Sequence, residues 1–192
     1  MDFENEDAAV GAIRFKNSSW MNIGIVSIIV RRHIDDWALP ESRALAEKYP
    51  ELVEKFSPPI CYFDIDRIGA YAKQELDQGK TPAQIGLNYF RDSERALKEF
   101  AKYARSHPES EFAQAKYIVG VSRLGSEAIG LRLGFDVFTD VNQDETHTHH
   151  STDMAAEFFL TSGMTPEEAS KRSRKHGVSV AVMPMTVLLE RY

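Results

Sequence analysis

Three histidines beside two carboxylates form the densest group of potential metal ligands in the sequence. His147, His149 and His150 follow Asp144 and Glu145 within one short polar stretch. Imidazole and carboxylate groups are ligands that zinc, nickel and iron take in proteins. A tight site also needs a scaffold and outer hydrogen-bonding partners, which adjacent residues of a polar loop do not supply. We therefore expect a solvated loop without metal, with a metal site as the alternative.

Two aspartates in the sequence Tyr62-Phe-Asp-Ile-Asp66 form a second candidate site. On a strand, Asp64 and Asp66 would share a face and could bind Mg²⁺. An Asp-x-Asp after an apolar run resembles the nucleophile motif of haloacid-dehalogenase-type phosphatases, which implies a Mg²⁺-dependent phosphohydrolase with Ser122 in its second motif. The interpretation favoured by capping chemistry is that Asp64 caps a helix beginning at Ile65 and Asp66 lies in its first turn.

One histidine has the neighbours of a general base. His33 precedes Asp35 and Asp36 and follows an apolar run, and a carboxylate-oriented imidazole accepts protons near neutral pH. The sequence offers no clear nucleophile to pair with it. Cys61, the single cysteine, follows Pro58-Pro59-Ile60 and is expected to be an inert thiol of the core.

Two further groups could hold an anion. In the stretch 120–126 the glycine spacing is that of a phosphate loop, but Ser126 and Glu127 replace its Lys and Ser/Thr, which leaves a plain strand-to-helix turn as the favoured interpretation. A basic cluster could anchor a phosphate, but it also complements the dipole of a helix end. The cluster consists of Lys171, Arg172, Arg174, Lys175 and His176.

The elements that must position these residues alternate between strand and helix. Residues 22–32 predict a strand covered on both faces, and 60–63 predict a short strand. Residues 40–56 and 64–78 predict helices. After 140 we expect a polar loop, helices over 153–161 and 165–177, and a strand over 179–183.

The clearest helix covers 85–107, behind Thr81-Pro82 as an N-cap followed by a proline at the first helical position. One face carries an apolar stripe formed by Tyr89, Phe90, Leu97, Phe100, Ala101 and Ala104. The remaining face carries charged residues, which are Arg91, Glu94, Arg95, Lys98, Glu99 and Lys102.

Residues 117–138 predict a strand, a turn, a helix of two turns and a second strand that opens at Leu133-Gly134-Phe135. Together with the long helix before it, this order resembles the C-terminal part of GCN5-related acyltransferases (GNAT-like) over residues 80–138. A Gly-Val-Ser strand end, the Leu-Gly-Phe run and the final Leu-Leu-Glu-Arg-Tyr192 also resemble the YkoP-like domain of bacteria. Either resemblance implies a single α/β domain with a central mixed sheet flanked by helices in three layers.

The acyltransferase resemblance implies acyl-CoA as the cofactor and transfer of its acyl group to an amine. The main-chain amides around Gln84, Gly86 and Asn88 would hold the pyrophosphate, and His33 or Glu127 would act as a base. The position of the family's acid tyrosine corresponds to Gly130, which has no side chain, so a non-catalytic binding or assembly domain is the alternative.

Composition sets limits on the function. The 192 residues, 43% of them hydrophobic, indicate one domain, here assigned to 20–192 behind a flexible acidic arm over 1–19. A net charge of −6 argues against nucleic acid as a partner. The acidic start is unlike a signal peptide and the most apolar run is too short to span a bilayer, so we expect a cytoplasmic protein. The sequence does not indicate whether the partner is a small molecule or a protein.

Overall fold

The computed structural model describes residues 19–31, 48–55, 59–64, 68–122, 127–140, 164–165, 167–168, 171 and 178–192. The strands are β1 (Trp20–Ile23), β2 (Val26–Arg31), β3 (Ile60–Asp64), β4 (Tyr117–Ser122), β5 (Asp136–Asp140) and β6 (Val178–Pro184). The helices are α1 (Glu51–Lys55), α2 (Ile68–Asp77), α3 (Pro82–Ser106), α4 (Glu111–Gln114), α5 (Glu127–Leu133) and α6 (Met185–Arg191).

The strands within these ranges form one mixed sheet in the order β1-β2-β3-β4-β6-β5. Only β3 and β4 are parallel among the strand pairs described, and their link is the long crossover through α2, α3 and α4. Every other neighbouring pair is antiparallel, and β6 lies between β4 and β5. The predicted α/β class with a central mixed sheet is confirmed.

Apolar side chains cover both faces of the sheet. On one face, α3, α5 and α6 pack over β2, β4 and β6 around Phe100, Ile118 and Leu188. On the other face, Leu52 of α1 packs against Ile60 and Val180. Helices on both sides of a central sheet make three layers, as the sequence predicted.

The predicted single strand over 22–32 is a hairpin instead. β1 and β2 are joined at Gly24 and Ile25, and Gly24 has a φ of 61°, which favours glycine. The expectation of a strand covered on both faces holds for β2, where Ile28, Ile29 and Val30 are all buried. The apolar run continues through the turn, so periodicity alone does not reveal the reversal.

The long helix α3 begins as predicted, behind Thr81 as N-cap. The Thr81 hydroxyl accepts from the Gln84 amide and the Gln84 side chain accepts from the Thr81 amide, which is a complete capping box. The centre of the predicted stripe is fully buried against the sheet, whereas Tyr89 and Phe90 at its start are half-buried.

Asp64 is the last residue of β3, and α2 is described from Ile68 to Asp77. The predicted start of this helix at Ile65 lies outside the described residues, so the capping role of Asp64 stays a prediction. Ladder pairing with Ser27 of β2 holds Asp64 in the strand. Asp66 lies outside the described residues.

The C-terminal residues close the end of α5. Arg191 donates to the Arg132 carbonyl at 2.8 Å, and the Tyr192 hydroxyl donates to the Leu133 carbonyl at 2.9 Å. These carbonyls are the unpaired acceptors of a helix end. Gly134 follows with a φ of 91°, so the Leu-Gly-Phe run ends the helix as predicted.

Candidate functional site

The parallel strands β3 and β4 stop pairing with each other before their carboxyl ends. Their shared register ends at Tyr62 and Val119, while β3 continues to Asp64 and β4 continues to Ser122. Each strand stays paired with its outer neighbour over these last residues. Ligands of α/β sheets bind outside the carboxyl ends of parallel strands, so this edge is the natural place for a site.

The middle of α3 reaches the same edge. The crossover must leave the carboxyl end of β3 and return to the amino end of β4. Its last part lies at the amino end, where the Lys116 amide donates to the Pro59 carbonyl at 3.1 Å. Arg95, just past the midpoint of α3, lies beside Gly24 in the β1–β2 turn, and Ser27 after that turn pairs with Asp64 at the carboxyl end of β3.

The three residues predicted to bind coenzyme A lie in the first two turns of α3. The amides of Gln84 and Ile85 are bonded to the hydroxyl and carbonyl of Thr81, so the cap already uses them. Gly86 has open space where a side chain would project, with nothing within 4 Å of an added Cβ. Asn88 donates to Glu75 of α2 at 2.8 Å. The structure brings the three together, and the role in binding coenzyme A stays a prediction.

A polar cleft of about 440 Å³ opens between α2 and α3. From here on it is called the α2–α3 cleft, and its lining is Tyr71, Glu75, Lys80, Asn88, Arg91, Asp92 and Arg95. A volume of this size is in the range of small-molecule sites. Asn88 is the one predicted site residue in this lining.

Glu75 organises one side of the cleft. Its carboxylate is nearly buried and accepts from Lys80 at 2.6 Å and from Asn88 at 2.8 Å. The hydrogen bond from Lys80, and then that from Asn88, hold the pKa of Glu75 below its ordinary value. Glu75 is therefore ionised at neutral pH and fixes both donors in place.

Asp92 organises the other side. Its two oxygens accept from Arg95 at 2.9 Å and from the Tyr71 hydroxyl at 3.3 Å. Burial and the nearby carboxylates of Asp92 and Glu75 raise the pKa of Tyr71 to about 12. Tyr71 therefore remains a neutral hydroxyl donor and does not serve as a base at physiological pH.

Arg91 is the unpaired charge of the cleft. Lys80 pairs with Glu75 and Arg95 pairs with Asp92. Within the ranges that the structure describes, no hydrogen bond or ion pair engages Arg91, which is exposed. The lining thus has three cations against two carboxylates, and one positive charge is left over.

The sequence places Arg91 and Arg95 on the charged face of α3 and does not single out the cleft. A signal was present, because Asn88, Arg91, Asp92 and Arg95 recur at the spacing of a single helix face. What sequence does not show is the contact with Tyr71 and Glu75, since that depends on how α2 packs against α3.

The predicted bases are not both described. His33 lies outside the described residues. Glu127 is the first residue of α5, which follows β4 at the carboxyl edge. Their assignment as bases stays a prediction.

Gly130, which the acyltransferase resemblance places at the acid tyrosine, is packed against the sheet. A Cβ there would lie 2.7 Å from Cγ2 of Val137 and 3.8 Å from Cβ of Ala181. Real Cβ atoms do not approach other atoms this closely, so α5 sits against β5 at a distance that only glycine allows. No larger side chain fits at position 130 in this packing.

Cys61 is buried in the core, as expected. Burial raises the pKa of its thiol far above the ordinary value, and its sulfur lies 3.6 Å from the Phe112 carbonyl. A thiol that stays protonated is a poor nucleophile. Cys61 therefore belongs to the packing.

The predicted metal and phosphate groups fall mostly on residues the structure does not describe. His147, His149 and His150 lie outside the described residues, as do residues 123–126 of the predicted phosphate-loop stretch and all of the basic cluster except Lys171. In the portion that is described, no cluster of three or more His, Cys, Asp or Glu side chains is arranged to hold a metal. In the same portion, no helix is long and apolar enough to cross a membrane.

The chain matches no protein-family model, no curated protein and no solved structure. The two features of the molecule that bear on its function are therefore the carboxyl edge of β3 and β4 and the α2–α3 cleft.

Proposed function

We propose that the protein binds an acyl-coenzyme A at the carboxyl edge of β3 and β4 and transfers the acyl group to an amine. The observation that carries this proposal is the end of the β3–β4 register at Tyr62 and Val119, before either strand ends. Two parallel strands that lose their mutual pairing leave backbone groups available to an extended ligand such as a pantetheine arm.

The order of elements also supports the proposal. The resemblance to GCN5-related acyltransferases needs a long helix before the next strand, and α3 precedes β4. It also needs a helix that ends in a Leu-Gly-Phe run before the chain returns to the sheet, and α5 ends at Leu133 before β5. These are likenesses of arrangement, and the activity itself is the proposal.

Acyl transfer requires an amine to attack the thioester carbonyl, a base to take the amine proton, and a thiolate to leave. We assign the base to His33 or Glu127, on the grounds given by the sequence. The departing thiolate of coenzyme A can leave with a proton from solvent, so Gly130 need not supply one.

A second candidate is a non-catalytic binding domain of the same fold. The packing of Gly130 against Val137 favours it, because the position of the family's acid faces the sheet and has no room for a side chain. The two candidate functions differ in whether the protein converts acetyl-CoA to free coenzyme A. Release of free thiol from acetyl-CoA with a panel of amines supports an enzyme, and binding without release supports the alternative.

Both candidate functions require binding of the coenzyme, and a calorimetric titration with coenzyme A and acetyl-CoA tests this binding. The unmutated protein is expected to bind at millimolar concentration or below. Gly86→Glu should abolish binding, because it adds bulk and negative charge where the pyrophosphate would lie. Gly86→Ala is the matched control and should still bind, since space is open there. Absence of binding by the unmutated protein contradicts the proposal.

A further inference from the structure

We propose that the α2–α3 cleft is a binding site for the oxyanion of a small organic ligand, a carboxylate or a phosphate, held by Arg91. This site lies between two helices, and of the three residues predicted to bind coenzyme A its lining includes Asn88 but neither Gln84 nor Gly86. The proposal rests on Arg91, which has no part in the proposed binding of acyl-coenzyme A.

Charge argues for an anion. The two carboxylates in the lining are each matched by one cation, Glu75 by Lys80 and Asp92 by Arg95. Arg91 then adds a guanidinium that has no partner within the described residues and lines the same cleft. One uncompensated positive charge suits a ligand with one anionic group.

Donor geometry argues for an oxyanion in particular. A guanidinium presents two parallel N–H groups that match a carboxylate or phosphate in a two-pronged contact. Lys80 and Arg95 each carry more N–H donors than their single carboxylate partner accepts, so both retain donors for a ligand oxygen. Three cationic donors thus border one volume.

Preorganisation argues for a built site rather than a set of solvated side chains. Glu75 is only 8% exposed and holds Lys80 and Asn88, while Asp92 holds Arg95 and Tyr71. The side of the lining held by Glu75 and Asp92 is therefore ordered before a ligand arrives, which lowers the entropic cost of binding, whereas Arg91 and Arg95 are exposed. The ring of Tyr71 adds an apolar wall for the organic part of the ligand.

The test is an NMR titration of the full chain with inorganic phosphate and, separately, with acetate, at constant pH and constant ionic strength. Saturable shifts of the Arg91 Nε–H and the Asn88 side-chain amide are expected with at least one of the two anions. The anion that binds more tightly identifies the ligand group. Arg91→Gln should weaken that binding about tenfold or more, because it removes a charge-assisted contact.

Lys102→Gln is the matched control. Lys102 is exposed on α3, outside the cleft lining, and its loss changes the net charge equally. It lies three helical turns from Arg91, about 16 Å along the axis and beyond the screening length at 0.1 M salt. We expect its effect to stay below about twofold on that ground. The proposal is overturned if neither anion gives saturable shifts, or if both variants weaken binding equally.

Discussion

Two glycines on helices behave differently because of what surrounds them. Gly86 on α3 has nothing within 4 Å of an added Cβ, whereas a Cβ on Gly130 of α5 would lie 2.7 Å from Val137. Both have ordinary negative φ values, so backbone strain does not separate them. The difference between the two positions is one of space alone, and spacing in the sequence does not reveal it.

Opposite effects of alanine at these glycines are therefore expected. Gly86→Ala should stabilise the protein by about 0.4–1 kcal/mol, because it restricts the unfolded chain at no cost to packing. Gly130→Ala should destabilise it by about 1–3 kcal/mol, because the added methyl group forces α5 away from β5. Urea unfolding of both variants measures the two free energies. If both substitutions change the free energy of unfolding in the same direction, the packing of α5 described above is contradicted.

At the scale of elements, two carboxylates join α2 and α3. Asp92 of α3 accepts from Tyr71 of α2, while Glu75 of α2 accepts from Asn88 of α3 and from Lys80 in the link between the helices. The pKa of Glu75 is held below its ordinary value chiefly by the hydrogen bond from Lys80. The Glu75 side of the cleft therefore depends on the ionisation of this side chain.

A lowered pKa gives stability a defined dependence on pH. The contribution of Glu75 is fully present above the pKa of a glutamate in the unfolded chain, about 4.3, and is lost as pH falls through the lower folded value. Urea unfolding should therefore show that Glu75→Gln is less stable than the unmutated protein at pH 7, with the difference shrinking below about pH 4.

Glu99→Gln, at an exposed position of α3, is the control and should change stability little at either pH. A deficit of Glu75→Gln that is unchanged across the acid range would show that the carboxylate does not join the two helices.

The elements with local signals were the ones that sequence could predict. The start of α3 is indicated within four residues by Thr81, Pro82 and Gln84, and the end of α5 is indicated by Gly134. The β1–β2 turn has Gly24 as its local signal, but the apolar run continues through it. The contact of Tyr192 with the end of α5 joins residues far apart in the sequence, so no local pattern predicts it. For the same reason Asn88 was predicted as a site residue while its partner Glu75 was not.

At the scale of the whole molecule, the single parallel pair among the described strands organises the candidate sites. The crossover from β3 to β4 carries α2 and α3, and with them the α2–α3 cleft. The same crossover brings Arg95 of α3 beside the β1–β2 turn, at the sheet edge where the β3–β4 register stops. The class of fold could be predicted from the alternation of elements, whereas the sheet order required the long-range pairing of β6 between β4 and β5.

The measurement that tests the central claim most directly is a thermal-shift screen of the unmutated protein with coenzyme A, acetyl-CoA, Mg²⁺, Zn²⁺ and Ni²⁺. A ligand that binds only the folded state adds about 2.7 kcal/mol at a hundredfold its dissociation constant. For a chain of this length that corresponds to a rise of about 5–10 °C in the unfolding midpoint. We predict this rise with coenzyme A and acetyl-CoA. No rise with either, together with a clear rise for Mg²⁺, would contradict the acyl-coenzyme A account and favour a phosphohydrolase using Asp64 and Asp66.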